Sequence, residues 1–131
     1  MTQDEVYKRD RRDARSVPSL FKTLPDRSLE TEWELFKRVQ IEEGPIPNKY
    51  RELIDVAISA ISKCRYCAFY HTGLAKLNGA TETGIEDAVH TTKSSAGWST
   101  YINGLQLDFD QFQSEVLQAR KHVRSRQPVS V

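Results

Sequence analysis

The run Glu52-Leu-Ile-Asp-Val-Ala-Ile-Ser-Ala-Ile-Ser-Lys-Cys64-Arg-Tyr-Cys67-Ala-Phe-Tyr-His71 contains both cysteines of the 131-residue chain. Its first half carries Leu53, Ile54, Val56, Ala57, Ile58, Ala60 and Ile61, apolar around most of a helical circumference. That pattern predicts a helix in the middle of a bundle, starting at Pro47, where a proline at the first helical position costs nothing. Its second half places Cys64, Cys67 and His71 at steps of three and four, along one stripe of a following helix. This next helix runs to about Leu77 and stops at Asn78-Gly79, a strong C-terminal signal. Two helices joined near Lys63 are therefore the centre of the fold.

Outward from that pair the periodicity stays helical. Over 28–42, Leu29, Trp33, Phe36 and Val39/Gln40 recur on one face, with Ser28 or Thr31 as the expected cap and Gly44-Pro45 as the stop. A short helical turn is expected over 16–24, ended by Pro25. Thr83-x-x-Glu86 reads as a capping box opening a helix to about Thr92. A separate, partly helical segment is expected over 94–105, weakened by Gly97 and Gly104. A last helix over 108–123 has Phe109, Phe112, Val116, Ala119 and Val123 on its apolar face. No alternating strand pattern of useful length occurs. The expectation is all-α, one domain over 1–131 with its core at about 45–105, and flexible arms at 1–15 and 124–131.

Composition narrows the class. Hydrophobic residues make up 38% and charged residues 28%, ordinary for a soluble globular protein. The net charge of +1 is uneven: 16–119 holds 10 Lys/Arg against 14 Asp/Glu, and Arg120, Lys121, Arg124 and Arg126 follow. These cations suit the C-terminal end of a helix dipole, so neither a nucleic acid nor a membrane partner is expected. The most apolar run, 53–61, is too short to span a bilayer and is broken by Asp55 and Ser59. The charged N-terminus has no apolar core after it, so no secretory signal is read and a cytoplasmic location is expected. In a reducing compartment two cysteines point to catalysis or metal binding before a structural staple. Trp33 and Trp98 read as core or subunit-interface aromatics, and His90 and His122 have no partner visible in the sequence.

Several chemistries suit Cys64-x-x-Cys67-x-x-x-His71. As a dithiol redox centre, a cysteine near a helix N-terminus has its thiolate held by unpaired backbone N–H groups. An imidazole at i+4 takes its proton, and a thiol one turn away condenses with an oxidised sulfur to form a disulfide. As a zinc site the set is one ligand short, and His90 or His122 would have to supply it. Covalent haem needs a histidine directly after the second cysteine, where Ala68 stands, and is excluded. Two packed core thiols beside a core histidine are the fourth reading. Glu52 is either a surface charge near Lys49 and Arg51 or, if the two helices pair, a proton acceptor for the thiols. Glu52, Val56, Ser59 and Lys63 share a stripe leading toward Cys64. The redox reading needs neither cofactor nor metal.

Glu52, eleven residues, Cys64-x-x-Cys67, three residues and His71 together resemble the active-site motif of the AhpD-like alkylhydroperoxidases, within the carboxymuconolactone decarboxylase superfamily. The resemblance extends through YRELIDVAISAISKCRYCAFYHTGLAKLNGATETGIEDAV. It implies an all-helical bundle with the C-x-x-C at the N-terminal end of a core helix, assembled as trimers or hexamers. It implies a thiol peroxidase in which Cys67 reacts with hydroperoxide, Cys64 resolves it as a Cys64–Cys67 disulfide, and His71 and Glu52 relay protons. Tyr66 and Ser59 are candidates to flank that site. The reductant would be a lipoyl- or thioredoxin-like dithiol carrier. The best-studied relatives have a histidine directly before the second cysteine, where this chain has Tyr66. A non-enzymatic redox sensor, an interaction module, and a decarboxylase-type protein of unknown substrate remain as alternatives.

Overall fold

The computed structural model describes residues 19–127. The expected arm 1–15, the start of the 16–24 turn and residues 128–131 lie outside the described residues. Among the described residues every regular element is helical: a 3₁₀ turn (Ser19–Thr23), α1 (Asp26–Phe36) continued by a π turn (Lys37–Ile41), α2 (Asn48–Ile61), α3 (Arg65–Leu77), α4 (Glu82–Gly104) and α5 (Phe109–Arg126). Contacts group the chain into two compact units, one ending at Val89 and one beginning at His90, so the division falls within α4.

In the first unit, Phe21 from the 3₁₀ turn packs with Leu29 and Trp33 of α1, and Leu24 and Phe36 close around them. The Phe21 ring meets Trp33 edge-on at 5.0 Å and Phe36 at 5.1 Å. Burying Phe21 and Leu29 contributes about 1.5–3 kcal/mol each. α1 starts earlier than its apolar spacing predicts. Pro25 stands at the cap position, and its carbonyl receives the N–H groups of Ser28 and Leu29 at 2.9 and 3.1 Å. Neither Ser28 nor Thr31 is the cap. Past Phe36 the ladder widens, and Glu42 N–H reaches back five residues to the Lys37 carbonyl at 2.8 Å. The connection to α2 is fastened by Arg51, which donates to the Glu42 carbonyl, and by Asn48, which donates to the Ile41 carbonyl at 3.1 Å.

α2 and α3 form the hairpin that positions the site. The link is three residues long, with Lys63 at φ 54° and Cys64 N–H donating to the Ser59 carbonyl at 3.1 Å. Val56 of α2 packs with Ala75 of α3, Ala80 of the following turn and Ile85 of α4, with Leu53 alongside. Pro47 caps α2 from outside its first turn. Only one stripe of α2 is buried, Glu52, Val56 and Ser59; Tyr50, Ile54, Ile58 and Ile61 are exposed. The expectation of a helix enclosed on most sides is therefore not met within one chain. α3 ends as its sequence predicts: Gly79 adopts φ 94°, its N–H donates to Lys76, and Ala80 N–H reaches the Ala75 carbonyl at 2.9 Å.

α4 differs from expectation in two ways. Its cap is Thr81, whose Oγ1 accepts from Gly84 N–H at 3.0 Å, so Thr83 lies inside the helix. The expected break before 94 does not occur, and one helix covers both predicted segments. A single interior glycine such as Gly97 costs about 1 kcal/mol relative to alanine, too little to interrupt a helix of this length. α5 begins at the predicted place, with Asp108 Oδ1 accepting from Gln111 N–H at 2.9 Å, and continues to Arg126. Phe109, Phe112 and Val123 of its apolar face are exposed. Among the described residues no helix is long and apolar enough to cross a membrane.

Candidate active site

The first turn of α3 carries the sulfurs. Cys64 has extended backbone and stands at the helix cap, where its Sγ accepts the Cys67 N–H at 3.1 Å. Cys64 and Cys67 are joined as a disulfide with their Cα atoms 5.3 Å apart, a separation that one helical turn supplies. A helix N-terminus leaves its first N–H groups without intrahelical partners, so a sulfur at the cap has a donor already aimed at it.

His71 follows on the same helix, one turn after Cys67, with its side chain 13% exposed. Its Nδ1 lies 2.7 Å from Oε2 of Glu52, whose side chain is 3% exposed. The hairpin therefore brings together Glu52 and His71, which helical spacing along one helix cannot connect. With Nδ1 engaged by the carboxylate, Nε2 is the imidazole nitrogen left for proton transfer toward the sulfurs. The buried carboxylate has the partner its burial demands.

Asp55, which the sequence reading did not select, stands beside them. Its Oδ2 is 3.6 Å from the same Nδ1, and its side chain is 19% exposed. The available signal was its position three residues after Glu52, on the same face of α2. Ser59 is buried and donates through Oγ to the Asp55 carbonyl at 2.6 Å, so it holds the backbone behind the carboxylates. Tyr66 is 80% exposed and lies against Arg65 on the surface. The aromatic next to the imidazole is Tyr70, whose ring meets His71 edge-on at 5.0 Å and Phe36 at 6.5 Å. Burial pushes the Tyr70 phenol above its ordinary pKa, and the charges of Glu52 and Asp55 push it the same way. The Tyr70 phenol therefore keeps its proton beyond the pH at which an ordinary tyrosine loses it.

Glu52, Asp55 and His71 offer one oxygen or nitrogen each within 4.8 Å of one another, a donor set able to hold a metal ion. That set contains neither cysteine, unlike the zinc arrangement considered from the sequence, and its shortest separation is that of a hydrogen bond. His90 lines a shallow groove on α4 with Lys93, Ser94, Gly97, Trp98 and Tyr101. Trp98 and Tyr101 meet edge-on at 6.0 Å, both exposed. His122 lies on the exposed α5. Chemically, the hairpin combines a disulfide at a helix cap with an imidazole and two carboxylates, which suits thiol–disulfide exchange coupled to proton transfer.

Comparison with known proteins agrees with this architecture. The sequence model described as the carboxymuconolactone decarboxylase family matches residues 27–107. Among solved structures, the chain is similar to the crystal structure of an alkylhydroperoxidase AhpD core from Rhodospirillum rubrum. The TM-score is 0.71 at 26% sequence identity, and the match covers 82% of each chain. No curated protein matches the chain.

Proposed function

The chain belongs to the carboxymuconolactone decarboxylase family, and on that premise we propose that it is a thiol-dependent peroxidase of the alkylhydroperoxide reductase type. One observation carries the reading: the 2.7 Å Glu52–His71 hydrogen bond, on the hairpin whose second helix begins with the Cys64–Cys67 disulfide. In the reduced form, Cys67 gives its proton to His71 and attacks the distal oxygen of a hydroperoxide. The O–O bond breaks, the proton passes to the departing alkoxide, and an alcohol leaves Cys67 as a sulfenic acid. Cys64 then attacks that sulfur, water departs and the disulfide forms. A dithiol carrier of the lipoyl or thioredoxin type restores both thiols and becomes a disulfide itself.

The leaving groups of that exchange have support on the hairpin. A reductant that attacks Cys64 expels Cys67, one helical turn from the imidazole. When the mixed disulfide resolves, Cys64 leaves toward the Cys67 N–H that already points at its sulfur. The assignment of Cys67 as the peroxide-reactive thiol follows the family resemblance. The same reading makes the protein a cytoplasmic homo-oligomer, trimeric or hexameric. The exposed Ile54, Ile58 and Ile61 of α2 and Tyr66, Phe69 and Leu77 of α3 are the support for assembly.

The test is hydroperoxide consumption with dihydrolipoamide as donor. Cys67→Ser is expected to abolish turnover, and Cys64→Ser to stop it after one oxidation. Undiminished turnover in Cys67→Ser would refute the mechanism. A decarboxylase reading draws on the Glu52–Asp55–His71 group, which is acid–base machinery without sulfur. Lactone-acid turnover persisting in the double serine variant would establish that reading instead.

A further inference from the structure

Two carboxylates face one imidazole nitrogen, and they differ in access to water. Glu52 makes the hydrogen bond, but its side chain is 3% exposed; Asp55 stands 3.6 Å from Nδ1 and is 19% exposed. We propose that Asp55 is the outlet of the relay, exchanging with solvent the proton that His71 and Glu52 hold. The inference rests on the dithiol reading of the same site and assigns a task to a residue that reading leaves unused.

The placement follows from the helix. Asp55 is three residues after Glu52, so both carboxylates project from the same face of α2 toward His71 of α3. Ser59 Oγ fixes the Asp55 carbonyl and not its carboxylate. At 3.6 Å the Asp55 oxygen is just beyond hydrogen-bond range, so a small swing of the ring or carboxylate exchanges one partner for the other. The Tyr70 phenol beside the imidazole has its pKa raised by burial and by these carboxylates, and of the two carboxylates Asp55 is the more exposed.

The chemistry requires such an exchange. A dithiol reductant attacks as a monothiolate. Its two sulfurs finish as a disulfide, the Cys64–Cys67 bond breaks, and two cysteine thiols form. The reductant supplies one proton for two new S–H groups, and the second comes from water. Asp55 takes it up from water and returns it to the Glu52–His71 pair on the Nδ1 side, as the imidazole gives its Nε2 proton to the departing sulfur.

The experiment follows reduction of the Cys64–Cys67 disulfide by dithiothreitol in a single turnover, at fixed pH, with increasing imidazole as a small mobile proton carrier. Wild type is expected to be independent of imidazole. Asp55→Asn is expected to react about 10-fold more slowly at low imidazole, below the roughly 100-fold typical of a group exchanging protons with reacting atoms. Imidazole restores its rate. Asp55→Glu keeps most of the rate, whereas Glu52→Gln is not restored. Asp55→Ser, which removes the carboxylate with a smaller side chain, must repeat the Asn result and serves in its place if Asp55→Asn does not fold. A rate in the Asn or Ser variant that ignores imidazole, whether fast or slow, overturns the proposal. Because no hydroperoxide is used, failure of the peroxidase reading would appear separately, as a wild-type protein that consumes none.

Discussion

Glu52 and His71 reach each other from different helices, and their neighbours set the electrostatics around them. Tyr70 reports that field. Its phenol lies beside the imidazole, and its pKa is raised from 10.0 by burial first and then by the charges of Glu52 and Asp55. In the unfolded chain the same phenol ionises at its ordinary value. The unfolded state therefore loses its proton first as pH rises. This contribution to stability is fully present below pH 10.0 and is lost as pH climbs through the raised folded value. Ultraviolet titration of wild type minus Tyr70→Phe should show the late ionisation, and Glu52→Gln should bring it closer to the ordinary value. A difference spectrum titrating at the ordinary value in wild type would contradict the described surroundings.

The unit that assembles the site is the α2–α3 hairpin, and its parts were unequally visible in the sequence. Cys64, Cys67 and His71 share one helix, so spacing alone groups them. Glu52 depends on how two helices pair, which the short connection at Lys63 suggested and the 2.7 Å bond realises. Asp55 was missed because its relevance depends on which residue of the opposing helix faces it, and that is a tertiary fact. The division expected within α4 was a matter of weight: Gly97 lowers helix propensity locally, but the residues on both sides sustain the helix. The end of α3 was legible because it is local chemistry. Gly79 at φ 94° has no atom within 4 Å of where a Cβ would stand, so Gly79→Ala meets only conformational strain. That strain should cost about 1–2 kcal/mol in urea unfolding. A change near zero would mean that this turn is not left-handed.

At the scale of the whole molecule, the surface is more apolar than a solitary protomer needs. Ile54, Ile58 and Ile61 recur along the outer face of α2, and Phe69 of α3 is 87% exposed. A hydrophobic stripe at helical spacing on an open face is what a packed neighbour covers. Ile58→Glu is expected to shift sedimentation from oligomer to protomer while the far-ultraviolet dichroism keeps its helical form, since Ile58 lies outside both buried clusters. A wild-type chain that already sediments as a protomer would contradict assembly. On the function proposed above, the two sulfurs and the imidazole–carboxylate pair operate as one peroxide-reducing site. The most direct measurement is mass-spectrometric trapping of sulfenic acid with a dimedone-type reagent, after one equivalent of hydroperoxide is added to each reduced single-serine variant. A trapped adduct is expected on Cys67 in Cys64→Ser, and far less on Cys64 in Cys67→Ser. An adduct confined to Cys64, or none in either variant, would refute Cys67 as the peroxide-reactive thiol.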